Sequence, residues 1–212
     1  KDVVTSVLKK VKTKKGDVVL DIGSNDGTMI SYFPKSLARI GVEPAKNITW
    51  DHLDPSITVV NDYFSKKALV GTLGERTIKI LTSCAMFYDL DDPNSFVADA
   101  ASVLAPEGVW CIQLSYALSM IENMNFYDIC HEHLEYYSLE TLNHLMERNG
   151  LTIFDAELNE VNGGSARVFI THTARKLKKS ANLVKLLTRE RRFKLADPAT
   201  YVAFDKKIRS LA

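Results

Sequence analysis

Short apolar runs rich in β-branched residues alternate along this chain with stretches whose apolar positions recur every three or four residues. Val3, Val4, Val7, Leu8 and Val11 stand at helical spacing with lysines among them, which predicts an amphipathic lead-in helix ended by Gly16-Asp17. Val18–Ile22 then reads as a first strand. It runs straight into Gly23-Ser24-Asn25-Asp26-Gly27-Thr28 and a helix start at Met29-Ile30-Ser31-Tyr32-Phe33. Further strands are expected at 38–42, 57–60 and 77–82, with helical stretches near 45–52 and 65–73 between them. Asp91-Asp92-Pro93-Asn94 caps a helix carrying Phe96, Val97, Ala100, Val103 and Leu104 on one face. Pro106-Glu107-Gly108 turns the chain into a fifth strand, 109–114.

Strand and helix alternating five times predict a doubly wound α/β sheet, mostly parallel. An irregular stretch from Ser115 to about Tyr137 follows, and loops of that length inside a domain usually serve function. Ser138-Leu139-Glu140-Thr141 opens a helix to Asn149, with Gly150 as its cap. Two strands at 151–158 and 166–173, joined by a short connection, make an antiparallel pair that completes seven strands. Helical stretches at 181–193 and 197–211 close the chain. The expected organisation is a domain over 1–174 with a helical extension over 175–212.

Composition narrows the class without naming it. The 212 residues are 46% hydrophobic and 25% charged, the make-up of a globular protein. A net charge of +1 provides no global field for nucleic acid or a membrane surface. No apolar run reaches the roughly 18 residues that span a bilayer. Cys84, Cys111 and Cys130 form no CxxC pair, which favours reduced thiols, no zinc framework and a cytoplasmic setting. From Arg175 to Lys194 the chain is basic, with Glu190 its one acid. Without interleaved aromatics this stretch reads as a solvated helix face or a surface meeting a further domain, not a nucleic-acid site.

In a doubly wound sheet, ligands sit beyond the carboxyl ends of the strands where strand order reverses. The glycine turn, Glu43, Asp62 and Ser83 all fall on that edge. Glu43 ends the second strand, where an acid can accept two hydrogen bonds from a ribose diol, and Asp62 is placed to meet an adenine edge. Asp21, Gly23, Ser24, Asn25 and Gly27 would form the cradle itself. The dinucleotide signature G-x-G-x-x-G needs a middle glycine that this turn lacks, and Asp26 adds a charge that a pyrophosphate would repel. A ligand bearing an ammonium and a sulfonium tolerates that charge. The reading is therefore S-adenosylmethionine, with a nicotinamide dehydrogenase as the weaker alternative.

The runs LDIGSNDGT (20–28), GVEPA (41–45) and NDYF (61–64) resemble the cofactor signatures of the class I methyltransferases. CHEHLEYYSL (130–139) and NGGSARVF (162–169) resemble, more specifically, the C-methyltransferases that act on nucleotide-linked deoxysugars. The resemblance implies a Rossmann-like methyltransferase sheet and transfer of a methyl group to the carbon alpha to the carbonyl of a nucleotide-linked keto-deoxysugar. In that family a Cys-rich zinc module and a tyrosine-bearing segment commonly precede this core, and a Rossmann-like domain follows it. The 212 residues contain neither, which implies a fragment or a shortened relative. Cys130 stands where well-known members carry a tyrosine. A tyrosine-assisted step therefore does not carry over, and the missing flanking domains raise the alternative of a non-catalytic module that keeps the cofactor pocket.

C-methylation needs a base to remove the alpha proton, and histidine suits it because it titrates near neutrality. The resemblance assigns the base to His133, with Glu132 orienting a sugar hydroxyl or tuning the imidazole and His131 the weaker candidate. The spacing is not the H-E-x-x-H of metalloproteases, though histidines two apart can share one face of a strand and hold a metal. A hydrogen-bonded structural loop is the plainer reading. Tyr116, just after strand five, is either a contact to substrate or a core aromatic. Gly163, Gly164, Ser165 and Arg167 either bind sugar and diphosphate or make an ordinary hairpin turn.

Overall fold

The computed structural model describes residues 1–210. The lead-in helix α1 (Asp2–Leu8) is followed by β1 (Val18–Ile22), the glycine turn and a single helical turn, α2 (Thr28–Ser31). Next come β2 (Ala38–Val42), β3 (Ile57–Val60), α3 (Lys66–Leu73), β4 (Ile78–Cys84), α4 (Pro93–Val103) and β5 (Leu104–Ser115). The long connection holds α5 (Ala117–Glu122) and one turn of 3₁₀ helix at Phe126–Asp128. Then α6 (Leu139–Glu147), β6 (Leu151–Asn159), β7 (Ser165–His172), α7 (Ala181–Phe193) and α8 (Pro198–Arg209) complete the chain.

The seven strands lie in the order β3-β2-β1-β4-β5-β7-β6. The β1, β2, β3, β4 and β5 pairings are parallel, and β7 runs antiparallel to both β5 and β6. This is the doubly wound, mostly parallel sheet the strand–helix alternation predicts. Strand order reverses between β1 and β4, so the crevice for a ligand opens at Ile22-Gly23 and Cys84-Ala85. Both faces are covered. On one, Leu20, Leu81, Trp110 and Ile112 pack under α3, α4, α6 and α7. On the other, Val19, Ile80, Cys111 and Phe169 pack under Val4 and Val7 of α1 and Ile30 of α2. Strands buried on both faces explain why β1 reads as an apolar run without alternation, broken only by the buried Asp21.

Three expectations fail locally. The stretch 45–52 is not helical. Trp50 Nε1 donates to the Asn25 carbonyl at 2.9 Å and His52 Nε2 lies 3.0 Å from the Asp26 carbonyl. Folding back onto the glycine turn satisfies those carbonyls and rules out a helix. Pro106-Glu107-Gly108 does not precede β5 but bulges out of it. Leu104 pairs with Ile78 and Val109 with Ile80, so β5 advances by five residues where β4 advances by two. The lead-in helix stops at Leu8, although Val11 remains buried beyond it. The final helix ends at Arg209, and position 211 of the expected stretch lies outside the described residues.

Local signals explain the elements that do match. Ser138 caps α6 through a reciprocal box: its Oγ accepts from Thr141 N, and Thr141 Oγ1 accepts from Ser138 N, each at 3.1 Å. Asp92 caps α4 by accepting from Ser95 N at 3.1 Å, and Pro93 fits the first turn because no partner is needed for its nitrogen. The segment after β7 joins the core: Leu183, Leu186, Leu195 and Phe204 are buried in the cluster beneath α6.

Candidate active site

Two groups of residues face the carboxyl edge of the sheet. The first is the cradle at β1. Gly23 and Gly27 take left-handed φ of +68° and +79°. The backbone angle at Gly27 favours glycine, and the tip of the Leu53 side chain packs into the room a side chain there would take. Glu43, at the end of β2, accepts from Asn25 N through one carboxylate oxygen and from Ala45 N through the other, both at 2.9 Å. It therefore fixes the turn as well as facing the crevice. Ser24 is 4% exposed and its hydroxyl has no partner. Asp21 is buried and accepts from Thr82 Oγ1 at 2.7 Å. Burial pushes its carboxyl up to about 7, the Thr82 bond opposing and the Glu43 charge adding.

Other predicted cradle residues lie further from this cluster. Ser83 turns into the core, where its Oγ accepts from Trp110 Nε1 at 2.7 Å. Asp62 is exposed past the end of β3 and accepts from its neighbour Tyr63 N at 2.8 Å. Asn61 makes the tie to the cradle, donating to the Glu43 carbonyl at 2.7 Å.

The second group surrounds His133. Its ring packs against Tyr88, with centroids 4.3 Å apart, and Tyr136 lies 6.5 Å away on another side. The Tyr88 carbonyl accepts from Leu134 N at 2.9 Å and Glu135 N at 3.0 Å, which pins the motif to the turn after β4. Asp89 and Asp128 lie close enough to feel the His133 charge. Burial pushes both carboxyls up and His133 draws them down. His131 and Glu132 point outward, with side chains 91% and 71% exposed and 3.8 Å between His131 Nε2 and Glu132 Oε1. Among the described residues, no group of three or more His, Cys, Asp or Glu side chains is arranged to hold a metal ion. Met86 joins the two groups. A side chain on Gly23 would begin 3.3 Å from Met86 Cγ, and two residues on is Tyr88, under His133.

The predicted substrate residues are split. Because β7 is antiparallel, Ser165 pairs with Ser115 and the Gly163-Gly164 turn stands at the carboxyl edge. Asn123 and Asn125 both donate to the Gly163 carbonyl, at 2.9 and 2.8 Å, so this turn braces the end of α5. Gly164 has φ of +129°, and a side chain there would begin 2.6 Å from Ser119 Cβ. Gly164→Ala is thus expected to cost about 2 kcal/mol from strained backbone and a steric clash, read as a lowered urea midpoint. Arg167 is buried and committed within the protein. It donates to Gln113 Oε1 from Nε and Nη2, to Ser6 Oγ at 2.9 Å and to Asp2 at 2.6 Å. Tyr116 is also buried, its hydroxyl donating to Glu190 at 2.7 Å.

The sequence reading missed Met86, Tyr88, Asp89 and Asp128. They lie in irregular turns without periodicity, and the one available signal was the repeated Phe-Tyr-Asp at 87–89 and 126–128.

A seven-stranded sheet with a glycine cradle at its switch point, an acid closing β2 and an antiparallel β7 defines an S-adenosylmethionine-dependent methyltransferase domain. The chain belongs to that family: residues 2–156 match the methyltransferase domain model, and residues 160–212 match a C-methyltransferase C-terminal domain. It is 26% identical over 204 residues to the C-methyltransferase NovU of Streptomyces niveus, covering 93% of this chain and 47% of that protein. The chain thus spans about half the length of the curated relative it matches. A methyltransferase of Aquifex aeolicus described as SAM-dependent shares the fold at a TM-score of 0.58 and 18% identity, covering 78% of this chain and 87% of that one. The magnesium protoporphyrin IX methyltransferase of Synechocystis, solved with bound S-adenosylhomocysteine, does so at 0.60 and 10%, covering 81% of each. The cradle fits the cofactor of this fold: the buried Ser24 hydroxyl has no partner within the protein, and the left-handed turn at Gly23 and Gly27 brings bare backbone to the switch point. Among the described residues no helix is long and apolar enough to cross a membrane.

Proposed function

We propose that this domain transfers a methyl group to the carbon alpha to the carbonyl of a nucleotide-linked keto-deoxysugar, with His133 as the base. The observation that carries the reading is the short bridge from cradle to imidazole, through Met86 against Gly23 and Tyr88 against His133. It supports a base directed at whatever lies over the cofactor crevice. When bound, S-adenosylmethionine supplies an electrophilic methyl group on sulfur and leaves as S-adenosylhomocysteine. His133 takes the alpha proton and leaves the electron pair of that C–H bond as the enolate, whose carbon would accept the methyl group, with sulfur taking back the electron pair of its C–S bond. The resulting imidazolium is stabilised by Asp89 and Asp128. Asp21, Gly23, Ser24, Asn25, Gly27 and Glu43 hold the cofactor, Asp62 bounds its adenine side, and Ser83, buried against Trp110, supports the crevice floor from the core. Glu132 and His131, exposed beside the base, meet the sugar. Gly163, Gly164 and Ser165 wall the acceptor side, and Arg167 supports that wall through Gln113.

The test is calorimetry with S-adenosylhomocysteine, followed by NMR of a 4-keto sugar nucleotide in deuterated buffer with the protein present. Binding, with deuterium entering only the alpha carbon, is the expected result. Absence of binding removes the cofactor reading, and binding without exchange removes the base.

A further inference from the structure

Glu190 is the single acid of a basic segment, and it is 2% exposed. A lone buried carboxylate is costly unless its oxygens are satisfied, and here three donors converge on it. Tyr116 Oη donates to Oε1 at 2.7 Å, Leu139 N to the same oxygen at 2.6 Å, and Glu140 N to Oε2 at 3.1 Å. These donors come from both roots of one loop. Tyr116 is the first residue after β5, and Leu139 and Glu140 are the first two residues of α6, which begins six positions after His133. Between the roots, Ala117 N also donates to the Tyr137 carbonyl at 3.1 Å. The residues flanking Glu190 on α7 reach the same two places: Arg189 pairs with Glu122 of α5, and Arg191 with Glu140 of α6 at 3.3 Å. Those outer pairs are exposed and contribute little. The buried carboxylate supplies the directional bonds.

We propose that Glu190 is a positioning residue for the reaction: it clasps the two roots of the 116–138 loop, so that α7, from the C-terminal part of the chain, sets where His133 stands. The role in catalysis rests on the reading of His133 as base; the clasp itself does not. A glutamine at this position keeps one accepting oxygen and presents an NH₂ group to an N–H donor, so the clasp loses at least one bond while the side-chain volume is kept.

The experiment is amide hydrogen exchange of the whole chain in the wild type and in Glu190→Gln, alongside methyl transfer and S-adenosylhomocysteine affinity. The expected result is exchange faster by about tenfold across 117–140, unchanged exchange in β1, β2 and β4, unchanged cofactor affinity, and a kcat lower by about tenfold. Loop exchange equal to wild type overturns the clasp. Exchange raised equally throughout the sheet also overturns it, because Glu190 then serves global stability alone. Faster loop exchange with kcat unchanged overturns the positioning role. If the wild type transfers no methyl group, the function proposed above fails, and the exchange pattern, which needs no acceptor, still decides the clasp. Should Glu190→Gln not fold, Tyr116→Phe removes one of the three bonds and gives a smaller rise over the same residues.

Discussion

Replacing His133 with Asn is expected to lower alpha-deuterium exchange and methyl transfer by about two to four orders of magnitude, with S-adenosylhomocysteine affinity within about twofold of wild type. The asymmetry follows from the geometry. His133 packs against Tyr88 with Asp89 and Asp128 within reach of its charge, while the cradle is held by Glu43, Asn61, Trp50 and the glycines. Asparagine retains polarity and approximate size, and the backbone bonds from 134 and 135 to the Tyr88 carbonyl are untouched, so the loop keeps its place. What disappears is a ring nitrogen able to take the alpha proton. Single-turnover transfer measured beside calorimetry reads both quantities, and full exchange in the variant would reject His133.

The second large effect lies in the cradle and is thermodynamic. The Asp21 carboxyl has an ordinary value of 3.8 and is pushed up to about 7 by burial. Between those values the unfolded chain has released the proton that the folded chain keeps. The folded state binds more protons there, so stability is full below about pH 4 and falls as pH rises towards 7. Above 7 both states are ionised and the loss is complete, on the order of 4 kcal/mol. Asp21→Asn removes the titrating group while keeping an acceptor for Thr82. Urea unfolding of the protein without cofactor, from about pH 5 to about pH 8, is expected to show a downward slope in wild type that the variant lacks. An equal slope in both would place the effect elsewhere.

Much of the scaffold is legible because it rests on local rules. Strands buried on both faces are predominantly apolar without alternation, helices need caps such as Asp92 and Ser138, and the turn at 23–27 needs glycines for its φ angles. The stretch 45–52 was misread because its conformation is decided from outside. The carbonyls of Asn25 and Asp26 need donors, and Trp50 and His52 reach them only if the segment does not coil. The bulge at 105–108 was likewise hidden, since Pro and Gly signal a break but not whether pairing resumes on the same partner. In the site, spacing along the chain marks Asp21, Gly23 and Glu43, which belong to elements next to one another in the sheet. Tyr88 and His133 are brought together by a loop, and Glu190 meets Tyr116 across a long span of sequence. Nothing periodic announces contacts of that kind.

The reversed direction of β7 has a bearing on how such domains can be diversified. Because the strand enters the sheet at the ligand edge, the β6–β7 connection is both the rim of the crevice and a surface hairpin, open to exchange without crossing the interior. The cradle belongs to β1 and β2, separated from that hairpin by the paired central strands β4 and β5. Residues 160–164 are therefore a natural splice point: a hairpin of other sequence can be grafted there while the cofactor half is inherited whole, provided Asn123 and Asn125 still find a carbonyl where Gly163 now offers one.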